Sequence, residues 1–121
     1  MKRAVAGAFV AALLVVPGGI SEAQSRRAQE TQETGVAQIH SWVKVGRKTC
    51  MLDHYHEGSG NGRSRRDAER AAITAWSEFT AWEYGTPWAR YTIAESRQAT
   101  CNEQSKNAWS CHVQARPCRT Y

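Results

Sequence analysis

Beyond Val16 the 121-residue sequence contains no apolar run approaching the roughly 20 residues that a membrane-spanning helix needs, so the mature chain is expected to be soluble. It also lacks any Cys-x-x-Cys pair, which argues against a structural zinc site built from its cysteines. Gly58, Gly60 and Gly62 do not follow the G-x-G-x-x-G pattern, and no βαβ unit with a later ribose-binding acid follows them, so a dinucleotide site is excluded. No serine or thiol stands in a recognisable nucleophile elbow near the histidines. The chain is therefore not expected to be an enzyme, and no cofactor is implied.

What is present begins with an address. Met1, Lys2 and Arg3 give a positive start, Ala4 to Val16 carries no charge, and Pro17, Gly18 and Gly19 break the apolar segment. Ser21 and Ala23 place small residues at the minus-three and minus-one positions of a cut before Gln24. Residues 1–23 thus read as a cleavable Sec-type signal peptide, and the mature protein is expected in the periplasm or the secreted medium. Residues 24–38 are rich in Gln, Arg, Glu, Thr and Ala and read as a disordered leader. Residues 39–121 form a single small domain, in a size range where an apolar core is commonly supplemented by cross-links. Cys50, Cys101, Cys111 and Cys118 all fall inside it and, in an exported chain, read as two disulfides with three possible pairings. Taking Lys2 and Arg3 from the 16 basic side chains and Glu22 from the 11 acidic ones leaves 14 against 10. That modest positive balance favours anionic partners.

The domain reads as strand or hairpin, helix, hairpin. Trp42, Val43 and Val45 precede a turn at Gly46, Arg47 and Lys48, and Thr49 to Tyr55 resume a β-rich run. Glu57 to Arg63 reads as a flexible glycine-rich connector. Ser64 is a good N-cap, with Asp67 three residues on, and Gly85 followed by Pro87 ends the helix after Tyr84. Within it Ala68, Ala71, Ala72, Ala75, Phe79 and Trp82 fall on one stripe with Trp76 at its edge, so Phe79 and Trp82 are expected to be buried. Arg97 to Glu103 and Ala108 to Ala115 read as two strands joined by Gln104 to Asn107. In the second, Trp109, Cys111, Val113 and Ala115 form the buried face, shared with Ala99 and Cys101 on the first. Trp76 and Trp88 are left as surface candidates that could stack on sugars or bases. The fold class is α+β: one central amphipathic helix on a small antiparallel sheet, stabilised by disulfides.

Two groups of residues carry candidate chemistry. Arg63, Arg65 and Arg66 surround the helix start at Ser64, next to Gly60 and Gly62, and backbone N–H groups at such a start favour anions. His54 and His56 flank Tyr55, so on a strand both imidazoles share a face, where Asp53, Glu57 or His112 would supply further metal ligands. Two histidines alone do not make a site.

The run Gly60-Asn61-Gly62-Arg63-Ser64-Arg65-Arg66-Asp67-Ala68-Glu69-Arg70-Ala71-Ala72, within residues 60–76, resembles the strand, turn and basic helix of double-stranded RNA-binding domains. That resemblance implies phosphate contacts for Arg65 and Arg66 and packing roles for Ala68, Ala71 and Ala72. Domains of that family end with this helix, whereas here residues 86–121 follow and carry three of the cysteines. As a whole, the export signal, glycine-led helix and late cysteine-bearing hairpin resemble small uncharacterised exported envelope proteins of Gram-negative bacteria, which carry no activity to transfer. The leading expectation is a non-enzymatic exported binding module that meets an anionic polymer or partner at the helix start. The alternatives are a structural or partner-binding envelope protein, a nucleic-acid-binding domain, and a metal-binding protein using His54 and His56.

Overall fold

The computed structural model describes residues 35–120; the expected signal peptide, residues 1–23, and residues 24–34 of the expected leader lie outside the described residues. Gly35–Gln38, at the end of the expected leader, form one helical turn, α1, with Ala37 fully buried. Then follow β1 (Trp42–Val45), β2 (Lys48–Met51), β3 (His56–Gly62), the long helix α2 (Arg65–Tyr84), two 3₁₀ turns, β4 (Glu95–Ser105), β5 (Ala108–Arg116) and β6 (Cys118–Thr120). Among the described residues no helix is long and apolar enough to cross a membrane. The class is α+β, with one main helix and two antiparallel three-stranded sheets, ordered β1-β2-β6 and β3-β5-β4. Pro117, which has no N–H for a ladder, separates β5 from β6 and marks where the chain passes from one sheet to the other.

Both expected hairpins form. Gly46, at φ 60°, turns β1 into β2, and Asn107, at φ 58°, turns β4 into β5, each in the left-handed region these residue types tolerate. The cysteines pair across neighbouring strands, Cys50 with Cys118 and Cys101 with Cys111, each pair directly opposite in register. Two disulfides are the mark of a chain that folds outside the reducing cytoplasm.

The glycine-rich connector is instead a strand. His56–Gly62 pairs with β5 from His56 opposite Ala115 to Gly62 opposite Trp109. Its alternate glycines lie directly under α2: a Cβ on Gly58 would stand 2.2 Å from the Ala72 carbonyl oxygen, and on Gly60 2.3 Å from the Ala72 nitrogen. Gly62 approaches the Ala68 nitrogen in the same way. Glycine is required here for close approach, and the period-two placement that looked like a flexible loop is the period of a strand face.

Helix α2 has the expected ends. Ser64 Oγ accepts a hydrogen bond from the Asp67 N–H, and Gly85, at φ 95°, donates its N–H to the Ala81 carbonyl. Its buried row, however, is Ala68, Ala72, Trp76, Thr80 and Tyr84. Phe79 is half exposed and Trp82 is 77% exposed, against expectation. Thr80 explains the error: its hydroxyl lies 2.7 Å from the Trp76 carbonyl oxygen and 2.8 Å from His56 Nδ1, so a polar residue is buried without an unmet hydrogen bond. Trp76 and Trp88, read as surface candidates, are both fully buried. Trp76 packs with Ala68, Ala72, Val113 and Ala115, and its indole N–H donates to the Ala115 carbonyl. Trp88 folds back after Pro87 onto Met51, Tyr84 and Ala37. Ala99, expected on the buried face, is exposed on the outer strand of its sheet.

Candidate metal centre

The C-terminal half of α2 and the chain on either side of the first hairpin converge on one polar cluster. His40 follows α1, His54 lies in the short link between β2 and β3, His56 opens β3, and Glu83 sits in the last turn of α2. The Leu52 N–H donates to the Ser41 carbonyl at 2.9 Å, drawing the two ends of the hairpin together. The His40 and His54 rings consequently lie 4.5 Å apart. Tyr84, fully buried, forms the shared floor: His56 stacks on it at 4.7 Å, and His40 and His54 meet it edge-on at 5.3 and 5.8 Å.

One donor atom from each of His40, His54 and Glu83 lies within 4.8 Å of the others. A tetrahedral zinc ion with bonds of about 2.0–2.2 Å spaces its donors roughly 3.4 Å apart, so side-chain rotation of about 1 Å closes the set. A cleft of about 250 Å³, lined by Ile39, His40, Ser41, Asp53 and His54, opens beside them and leaves access for the ion. Two imidazole nitrogens and one carboxylate oxygen, with an open fourth position, suit zinc, copper or nickel better than the all-oxygen shells of calcium or magnesium.

His56 supports this set from behind. It is almost completely buried, and its Nε2 lies 2.7 Å from Glu83 Oε2. Burial, opposed by the Glu83 carboxylate and reinforced by His54 and His40, lowers its pKa to about 4, so the ring is neutral at pH 7. On the ring's other side the Thr80 hydroxyl, which donates to the Trp76 carbonyl, lies 2.8 Å from Nδ1. Burial, with the nearby Glu83 charge, also raises the Tyr84 phenol well above its ordinary range, so the floor stays uncharged.

Of the residues singled out from sequence, His54 joins the cluster, His56 backs it and Asp53 lines the cleft. Glu57 and His112 lie elsewhere. They sit on the open face of the β3–β5 pair, where His112 Nδ1 is 3.1 Å from Ser59 Oγ and Nε2 is 3.8 Å from Glu57. This trio has the composition of a triad, but its histidine and glutamate are about half exposed and it occupies an open ladder surface that excludes no water. Sequence reasoning missed His40 and Glu83, which become neighbours of His54 only through the hairpin and the helix end.

Arg63, Arg65 and Arg66 are all exposed around the start of α2. Ser64 Oγ caps the Asp67 N–H and also lies 2.8 Å from Asp67 Oδ2, so the chain's own carboxylate faces the helix start. Gly60 and Gly62 are covered by helix backbone and present no loop.

Comparison with protein-family descriptions, curated proteins and solved structures finds no match to this chain.

Proposed function

We propose that this chain is a small exported binding module, periplasmic or secreted, whose ligand is a transition-metal ion held by His40, His54 and Glu83. The observation that carries this reading is the convergence of three metal-type donors from three separate segments within 4.8 Å of one another. The close approach of the buried His56 ring to Glu83 supports it, because a carboxylate held against a packed group needs little reorganisation to bind. The two disulfides support it as well: they hold the sheets without occupying a thiol as ligand, in a compartment where thiols do not persist.

The test is metal retention by the oxidised mature domain. After loading with zinc and exhaustive dialysis, elemental analysis should find one zinc per chain. Separately, His40→Ala, His54→Ala and Glu83→Gln should each lower zinc affinity tenfold or more. Arg65→Ala with Arg66→Ala should bind as the wild type does. A wild-type domain that retains neither zinc, copper nor nickel rules the proposal out.

A further inference from the structure

Strand β4 is the outermost strand of its sheet, and its eleven residues are exposed at every position but Glu95 and Cys101. Register shifts between Glu95 and Gln98, and between Glu103 and Ser105, leave Gln98–Glu103 as the regular run. That run carries no Lys or Pro, the residues with which proteins commonly blunt a sheet edge. By contrast, β1, the outer strand of the other sheet, is four residues long with Lys44 inside it.

The disulfide shows which backbone groups face outward. Cys101 and Cys111 stand opposite each other with Cα atoms 4.1 Å apart, the spacing of a non-hydrogen-bonded antiparallel pair. The N–H and C=O of Cys101 therefore point away from β5, and by alternation so do those of Ala99 and Glu103. Gln98, Thr100 and Asn102 satisfy the β5 ladder instead.

We infer that this edge is a self-association surface whose partner is a second copy of the chain, added antiparallel about a twofold axis at Thr100. In that register Ala99 faces Cys101 of the second copy, and the reverse, each pair exchanging both main-chain hydrogen bonds. Arg97 then stands against the other copy's Glu103, twice by symmetry. The neighbouring registers lose this complementarity. An axis at Ala99 sets Arg97 against Cys101, and an axis at Cys101 sets Glu103 against Ala99. Arg97 is exposed, with its guanidinium 5.9 Å from the centre of the Tyr91 ring. The result is a continuous six-stranded sheet.

Sedimentation velocity of the oxidised mature domain, from about 1 µM to about 1 mM protein at low salt, tests this. The wild type is expected to dimerise as concentration rises. Arg97→Glu should weaken dimerisation about tenfold, because it sets like charges opposite each other at both symmetric contacts, and Arg97→Glu with Glu103→Arg should restore it. Ala99→Pro removes an N–H that points away from the ladder, and should abolish dimerisation with near-ultraviolet circular dichroism unchanged. If that variant unfolds, the charge swap carries the test alone. A wild type that stays monomeric over the whole range, or a dimer indifferent to Arg97→Glu, overturns the inference.

Discussion

The two halves of helix α2 solve one packing problem in opposite ways. Its first half rests its backbone directly on Gly58, Gly60 and Gly62, with Ala68 and Ala72 between, so nothing larger than a methyl group fits beneath it. Its second half stands off on Trp76, Thr80 and Tyr84, and the space so opened is filled by His56 and flanked by His40, His54 and Glu83. The closed half carries the exposed arginines, and the open half carries the buried polar groups. A conspicuous run of charge can therefore mark a sealed end, while chemistry gathers where the layers part and polar side chains must satisfy one another.

Each half has its own disulfide, and removing these separates the halves most strongly. Cys50–Cys118 closes a span of 68 residues and braces the sheet beside the histidine cluster; Cys101–Cys111 closes 10 and braces the sheet under the arginine end, where Cys111 Sγ lies 3.6 Å from the Arg65 carbonyl. Loop-closure arguments give a loss of about 4 kcal/mol for Cys50→Ala with Cys118→Ala, and about 3 kcal/mol for Cys101→Ala with Cys111→Ala. Urea denaturation should show that order, and the first pair should also lose zinc affinity. Equal losses with metal binding intact would break the contrast.

In the closed half, Gly60→Ala places a methyl against helix backbone and should cost about 3 kcal/mol, the upper end of overpacking effects, read as a lower urea midpoint. A change under about 0.5 kcal/mol would mean that the helix lifts freely from β3.

In the open half the signature is pH. His56 has its pKa depressed from 6.5 to about 4 in the folded chain, so between those values the unfolded chain binds a proton that the folded chain refuses. Stability of the metal-free protein is full above pH 6.5 and should fall by about 2 to 3 kcal/mol as pH drops towards 4. Urea midpoints in chelator across that range should track it, and His56→Phe should flatten the slope. The smallest effect belongs to the arginines: Arg65→Ala with Arg66→Ala should change stability by no more than about 0.5 kcal/mol, since both project into water.

The same contrast explains what could be read from the sequence. The ends of α2, both hairpins, the α+β class and the oxidised cysteines followed from local chemistry: Ser64 as cap, Gly85 as stop, Gly46 in a turn, and an even set of cysteines. The identity of β3 was hidden because strand signals rest on side chains, and this strand gives up its side chains on one face so that the helix can approach. The buried row of α2 was misread at Thr80, whose burial depends on a hydrogen bond to His56 from another segment. Of the candidate site, His54 and His56 were visible by their spacing. His40 and Glu83 were not, since tertiary packing alone sets them beside His54.

The most direct measurement of the central claim is imidazole nitrogen NMR of the metal-free oxidised domain during zinc titration, with His112, on the far sheet face, as the internal control. The account predicts that the His40 and His54 resonances move together and saturate at one equivalent while His112 stays in place. Movement of His112 alone, or no movement of His40 and His54, would contradict it.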